Sequence, residues 1–445
     1  MRFSLPDYNE INSVNAYFFP ENFFCFIPID KKKYKEQEDK HIDNNNTCDD
    51  SFHELHKRVG NEYYRKVYPA QSSALSFSER TFPSYRFLLP EILADDWLAI
   101  VGWHKKHSRD HALHQPLTAY IVYKLLKGGL DGQPFQIGGR SLLDLCVDKI
   151  FLWEKTDYIK EYLLQLGVKN NDDLFNDIPI SRLFWKSLFF ETAMVAAIFH
   201  DIGYPWQYIN RINKNLNVAE FTLNNSLANA EHILHCFKNR LILYPFNGYK
   251  SLKCNTPCNW ENSLLKMISE SLTETHGFSG SLGFLHLNDH TKEFPSKKEL
   301  PFHNFCIEWA ALGIMMHDLK DIYHGKDKLT LPDNNQMRLE FDRDPLSCII
   351  TLADVLQEFA RPNVNFHIHE DGSEFTYPNN CLSSELIYEN GNLNLIYYYS
   401  TNEGMINKQL FIPKEEKEYF DLATGYFDFS SVGISNIEMS AMLGL

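Results

Sequence analysis

Apolar residues recur along this chain at two different periods, and the change falls near residue 362. Before that point Leu, Ile, Val, Phe and Trp return every three to four positions, the spacing of one helix face. The pattern predicts helices over 89–126 and 141–166, separated by the loop KGGLDGQPFQIGG. Further helices are expected over 181–201, 225–238, 262–275, 305–319 and 345–360. Residues 1–30 show no clear period, Lys31–Asp50 hold almost no apolar residues and read as a polar loop, and a charged helix is expected over 51–68. Ser181 to Asp201 is apolar on nearly every face. That is the mark of a helix inside a domain, with Ser181 as its expected cap.

After Arg361–Pro362 the segments VNFHIHE, SELIYE, NLNLIYYYS and KQLFIP are rich in β-formers. They are separated by DGS, NGN and NEG, which read as turns. The fold class expected is therefore mostly α: an all-α core with a small β-rich C-terminal appendage. Residues 1–88 are expected to form a helical or irregular extension, 89–362 the helical domain and 363–445 the β-rich region.

Composition narrows the class. A chain of 445 residues with 44% hydrophobic and 23% charged residues can bury a sizeable core and fits a soluble globular protein. A formal net charge of −15 repels long nucleic acid and anionic membrane, but leaves room for a small anionic substrate at a metal site. No apolar span approaches a membrane helix in length, and Met1–Asp30 lacks the basic start and apolar block of a secretory signal. The 9 cysteines are scattered, with only Cys254 and Cys258 close together, so most are expected to be buried small hydrophobes in a reducing cytoplasm.

The candidate chemistry begins at ETAMVAAIFHDIGYP, residues 191–205, where an apolar helix runs into His200–Asp201 and is stopped by Gly203 and Pro205. An imidazole and a carboxylate at the end of a buried helix are costly to desolvate unless something binds them, and both are first-choice ligands of divalent metals. With 18 His in the chain about one His–Asp pair is expected by chance, and His317–Asp318 is a second copy, so the pair needs support. His111 and His114 share a helix face in RDHALHQ, which places Pro116 in a first turn. His276 lies in THGFS, read as a helix end with Gly277 as its stop. His317 closes the apolar run WAALGIMM, and Asp318 reads as a solvent-side or supporting acid. Asp354 interrupts the apolar helix SCIITLADVLQEFAR, and Gln357, Glu358 and Arg361 continue a polar stripe from it. A bare carboxylate there would cost several kcal/mol without a cation or a good hydrogen-bond partner.

In order, His114, His200–Asp201, His276, His317 and Asp354 resemble the HD superfamily of metal-dependent phosphohydrolases over roughly residues 100–365. DHALHQ, THGFSGSL and DPLSCIITLADVLQEFARP are similar to a prokaryotic branch called simply HD domain-containing proteins. The resemblance implies an HD-type helical core. It places His114, His200, Asp201 and Asp354 on a first metal and Asp201, His276 and His317 on a second, with His111 an alternative to His114. The ion or ions would be Mn, Fe, Zn, Co or Mg. A metal-bound hydroxide would attack a phosphate ester, with Asp201 bridging the ions. Where many members carry Ile-Gly-Lys, this chain has Ile202-Gly203-Tyr204, so Arg361 or Arg109 would have to meet phosphate. Tyr204, Gln357 and Arg361 are the candidate substrate contacts. Tyr204 and Trp206 could stack on a base but are also ordinary core aromatics, and His232 and His235 read as packing or surface groups.

The function this implies is hydrolysis of a nucleotide or other phosphate ester by a cytoplasmic enzyme. One alternative is a di-iron oxygenase of the same superfamily acting on a small organic substrate, and another is a non-catalytic nucleotide-binding or regulatory domain.

Overall fold

The computed structural model describes residues 2–5, 111–128, 133–152, 160, 164, 172–204, 275–290, 300–318, 339–359, 365–368, 374–377, 381–421 and 425–444. In chain order its elements begin with strand β1 (Arg2–Leu5), helix α1 (His111–Lys127), strands β2 (Gln136–Ile137) and β3 (Arg140–Ser141), and helices α2 (Leu142–Leu152) and α3 (Pro179–Phe199). Then come α4 (Gly277–His290), α5 (Leu300–Met316), β4 (Leu339–Glu340) and α6 (Pro345–Leu356). The C-terminal part holds β5 (Asn365–Ile368), β6 (Glu374–Tyr377), β7 (Cys381–Glu389), β8 (Asn392–Tyr399), α7 (Asn402–Glu415), β9 (Phe427–Asp428) and β10 (Asn436–Leu443). The expected helices over 51–68 and 225–238, and all but the last residue of that over 262–275, lie outside the described residues.

The helical layer is built around α3, which packs against α1, α2, α5 and α6, while α4 lies on α5. The all-round apolar character of α3 has a direct consequence: Trp185, Phe189, Phe190 and every residue from Ala193 to Phe199 are buried. Trp185 and Phe189 pack edge-on against Trp309 of α5, with ring centroids 6.3 and 5.5 Å apart. Ser181 does not cap this helix. The cap position is Ile178, which makes no side-chain cap bond, and Pro179 opens the first turn with its φ already set.

Three further expectations about helix ends are corrected. Pro116 is the sixth residue of α1 rather than part of its first turn, so its ring removes one N–H from the ladder inside the helix. Gly277 starts α4 instead of stopping a helix. A Cβ on Gly277 would lie 2.6 Å from the Met315 carbonyl and 3.0 Å from that of Ile314, so glycine is required where α4 meets the end of α5. Helix α6 ends at Leu356, and Gln357 takes up φ −83° and ψ 80°, so the polar stripe does not continue along one helix face to Glu358.

The sheet has strand order β1-β7-β8-β10. Strands β7 and β8 form an antiparallel hairpin through Asn390–Gly391, both at positive φ, as a tight turn between twisted strands demands. Strand β1 pairs antiparallel with β7, so residues 2–5 are in the C-terminal sheet. Strand β10 runs parallel to β8, with α7 as the crossover between them. The segment KQLFIP, expected as a strand, lies within α7, and NEG opens that helix. The Thr401 hydroxyl accepts the Gly404 N–H, and Gly404, Lys408 and Ile412 are buried at a spacing of four, so tertiary contact selects the helical face. Two parallel residues of β4 and β9 join the helical layer to the C-terminal residues. Among the described residues no helix is long and apolar enough to cross a membrane. Cys146, Cys306, Cys348 and Cys381 are buried free thiols, while Cys254 and Cys258 lie outside the described residues.

Candidate metal centre

The ends of three helices and the start of a fourth meet beside α1. His114 sits on α1, His200 and Asp201 follow the last turn of α3, His276 precedes α4, His317 and Asp318 follow α5, and Asp354 lies two residues before the end of α6. The approach is close at Gly203, where a Cβ would fall 1.9 Å from the His276 carbonyl and 2.5 Å from the Gly280 nitrogen. That absent side chain lets the turn carrying Asp201 rest on the backbone beside His276.

All four rings are buried. The Nδ1 atom of each already meets an acceptor. His200 Nδ1–H donates to the Ala197 carbonyl at 2.7 Å, and His317 Nδ1–H donates to the Ile314 carbonyl at the same distance. Both are carbonyls three residues back in the last helical turn, where they have no helical donor. His276 Nδ1–H faces Asp318 Oδ2 at 2.8 Å, and the same oxygen accepts the His276 backbone N–H at 2.9 Å. His114 Nδ1–H donates to Gln357 Oε1. The Gln357 amide is oriented by its other end, whose Nε2 donates to the Phe359 carbonyl at 2.8 Å.

These partners fix the tautomers. With Nδ1 donating, each neutral ring presents an Nε2 lone pair, and all four point into one space. His114 and His200 Nε2 lie 3.1 Å apart, and His276 and His317 Nε2 lie 3.0 Å apart. Asp354 Oδ1 is 2.7 Å from His114 Nε2 and 3.7 Å from His200 Nε2. Asp201 stands between the two pairs. Its Oδ1 is 3.4, 2.8 and 3.6 Å from the Nε2 atoms of His200, His276 and His317, and its Oδ2 is 3.5 Å from His114 Nε2.

Two ligands bound about 2.1 Å from one ion and 90–109° apart sit about 3.0–3.4 Å from each other. The distances between these atoms cluster around that range. Two groups of donor atoms lie within 4.8 Å of one another: His114, His200 and Asp354, and His200, Asp201 and His317. Both could hold a metal ion. The second shares His200 with the first, whereas the resemblance gave His276 to it; His276 still meets both Asp201 and His317.

Four lone pairs and two carboxylates cannot be packed together in a dry pocket without positive charge. Protons respond to the same demand. Burial opposes charge on His276, but Asp318 and Asp201 overcome it and raise its pKa to about 9. Burial also opposes charge on His200, where Asp201 and Asp354 win and the pKa is raised. His317 goes the other way, lowered by burial and by its neighbours His276 and His200. Despite burial, the imidazoles of His114 and His200 hold Asp354 well below the usual carboxylate range. These residue types suit a divalent metal ion.

The supporting residues are the part sequence reasoning placed least well. Asp318 is buried and bonds His276 twice, so its solvent-side alternative is corrected. Its signal was its place directly after a histidine in a helix-end turn. Gln357 is fully buried, with its oxygen on His114 and its nitrogen on a backbone carbonyl, and Tyr204 stacks on His276 with centroids 3.8 Å apart. These two candidate substrate contacts thus touch the ligand rings themselves. His111 begins α1 but its side chain lies outside the described residues, as do Arg109, Arg361, Trp206, His232 and His235. In comparisons with known proteins, no family model, no curated protein and no solved structure matches this chain.

Proposed function

We propose that this protein is a metal-dependent phosphohydrolase acting on a nucleotide or another small phosphate ester. The carrying observation is the common orientation of four Nε2 atoms toward Asp201 and Asp354, with every Nδ1 held from behind. That is the arrangement by which proteins orient imidazole ligands on a metal, and it supports the HD-type reading of the sequence. His114, His200, Asp201 and Asp354 would hold one divalent ion, and Asp201, His276 and His317 a second. Such ions supply an activated water nucleophile and neutralise charge on phosphoryl oxygens.

The chain's own residues do the positioning. Asp201 turns Oδ1 to His200, His276 and His317 and Oδ2 to His114, so it meets rings of both pairs, which suits a carboxylate shared between two ions. Asp318 keeps His276 in the tautomer whose Nε2 is free to bind, and Gln357 does the same for His114. Asp354 is the most exposed of the six ligands, its side chain 20% accessible, so substrate reaches the first ion from its side. Arg109 or Arg361 would meet phosphate.

The test is a panel of phosphomonoesters and phosphodiesters with added Mn²⁺, run on the wild type and on Asp201→Ala. The reading expects activity on at least one nucleotide or phosphate ester, lowered at least 100-fold by the substitution. Equal turnover by both proteins would refute the mechanism.

A further inference from the structure

The C-terminal residues reach the very helix ends that deliver the later metal ligands. At the end of α6 the Gln357 N–H turns back to the Asp354 carbonyl at 3.1 Å and the Glu358 N–H to that of Leu356 at 3.0 Å, and side chains complete the last turn. Tyr397 Oη of β8 donates to the Val355 carbonyl at 2.9 Å, and Ser384 Oγ of β7 donates to the Leu356 carbonyl at 3.1 Å. Just beyond, Glu358 accepts from Lys408 Nζ of α7 at 2.8 Å. Lys408 is buried, pairs also with Glu415 at 2.9 Å, and lies 4.6 Å above the Tyr397 ring. The residues so held directly follow Asp354 and flank Gln357. At the end of α5 a second contact of the same kind occurs: buried Tyr426 Oη donates to the Met316 carbonyl at 2.5 Å, one residue before His317.

Resting on the metal-centre reading, we propose that residues 381–421 and 425–444 form a positioning clamp for the ligands. Tyr397 and Ser384 set the first site through Asp354 and Gln357, and Tyr426 sets the second through His317. Each of the three donates to a backbone carbonyl close to a ligand-bearing position, so they are positioning residues. Their hydroxyls fix the turn in which each helix stops, and with it the direction of the ligand that turn carries. Strands β7 and β8 and the residue before β9 thereby govern a site built from helices earlier in the chain.

The test separates the two sites. Metal-free protein is titrated with Co²⁺ and followed by visible absorption. Asp354→Ala and His317→Ala identify which step belongs to which site. In Ser384→Ala/Tyr397→Phe, affinity at the first site should fall about tenfold with the second unchanged; in Tyr426→Phe, the reverse. Should the double variant not fold, Tyr397→Phe alone carries the same comparison. Gln409→Ala, which removes a bond from α7 to the Ala441 carbonyl away from both helix ends, should leave both steps as in the wild type. Unchanged affinities in both clamp variants, or an equal loss at both sites in all three variants, overturn the clamp while leaving the metal centre standing. A wild type that binds no Co²⁺ overturns the metal-centre reading and the clamp with it. One binding only a single ion overturns the clamp.

Discussion

At the scale of single residues, what separates these histidines from ordinary buried ones is the partner behind each ring. A lone core imidazole is satisfied by one donor and one acceptor. Here an oxygen acceptor stands behind every Nδ1, and among the described residues the Nε2 side meets other imidazoles and the carboxylates of Asp201 and Asp354. The six candidate side chains that converge here were legible in the sequence, because burying a polar group beside an apolar run is expensive enough to be noticed. Gln357 and Asp318 were not legible in their supporting roles, since a glutamine or an aspartate after a ligand looks like any helix-end polar residue. Glycine gives the sharpest residue-scale prediction. Gly203→Ala puts a methyl group against the His276 carbonyl with no room to relax, so the protein should lose on the order of 3 kcal/mol or more of stability. A chemical denaturation midpoint equal to that of the wild type would show that the two turns are not in contact.

At the scale of elements, α6 shows how far periodicity goes. Its apolar body was expected: Ile350 and Leu356 are buried, as is Phe359 beyond its end, but Val355, expected to be buried with them, is only half-buried. Its end was not, because Gln357 leaves the helix to meet His114, 243 residues away in sequence. Local spacing carries no information about such a partner. Helix α7 failed in the opposite direction: residues with strand propensity became a helix because one face of it packs on β10 and β8.

The start of α6 carries a pH prediction. Asp344 caps it, accepting the Ser347 N–H at 3.0 Å and the Ser347 hydroxyl at 2.5 Å. Burial pushes its pKa from 3.8 up to about 6. The folded protein then binds this proton more tightly than the unfolded chain. The stabilisation is complete below about pH 4 and lost as pH rises to about 6. Asp344→Asn keeps the cap acceptor without the charge, and should add on the order of 1–2 kcal/mol at pH 7.5 while flattening stability between pH 4 and 6. Asp344→Ala, which removes the cap, should lower stability by about 1 kcal/mol at pH 7.5. Urea unfolding at pH 4.5 and 7.5 measures both. If Asp344→Asn proves less stable at pH 7.5, the buried carboxylate is an asset rather than a cost.

At the scale of the whole molecule, a site assembled from α1, α3, α5 and α6 and the start of α4 must couple metal binding to the packing of the helical layer. An ion that binds only the folded state stabilises it by about 2.7 kcal/mol at 100 times its dissociation constant. Added Mn²⁺ should therefore raise the melting temperature by several degrees, and EDTA should reverse the gain. In Asp201→Ala, which lacks the carboxylate shared by both pairs, that rise should shrink to near zero. A melting temperature indifferent to Mn²⁺ and EDTA in the wild type would mean the cluster is held by protons alone.

The sequence by itself determined the helical body, the β-formers after residue 362, and the six side chains singled out as candidate ligands, which the fold brings together. Each of these follows from a local rule: the period of apolar positions, the propensity of a segment, or the cost of burying a charge. Only the tertiary structure decided which atom of each imidazole faces inward, where α6 stops, that KQLFIP is helical, and that β1 joins the C-terminal sheet. Those outcomes depend on hydrogen bonds and contacts between segments far apart along the chain. Such pairings have no period for a sequence to display, because they are set by which surfaces meet once the core has formed.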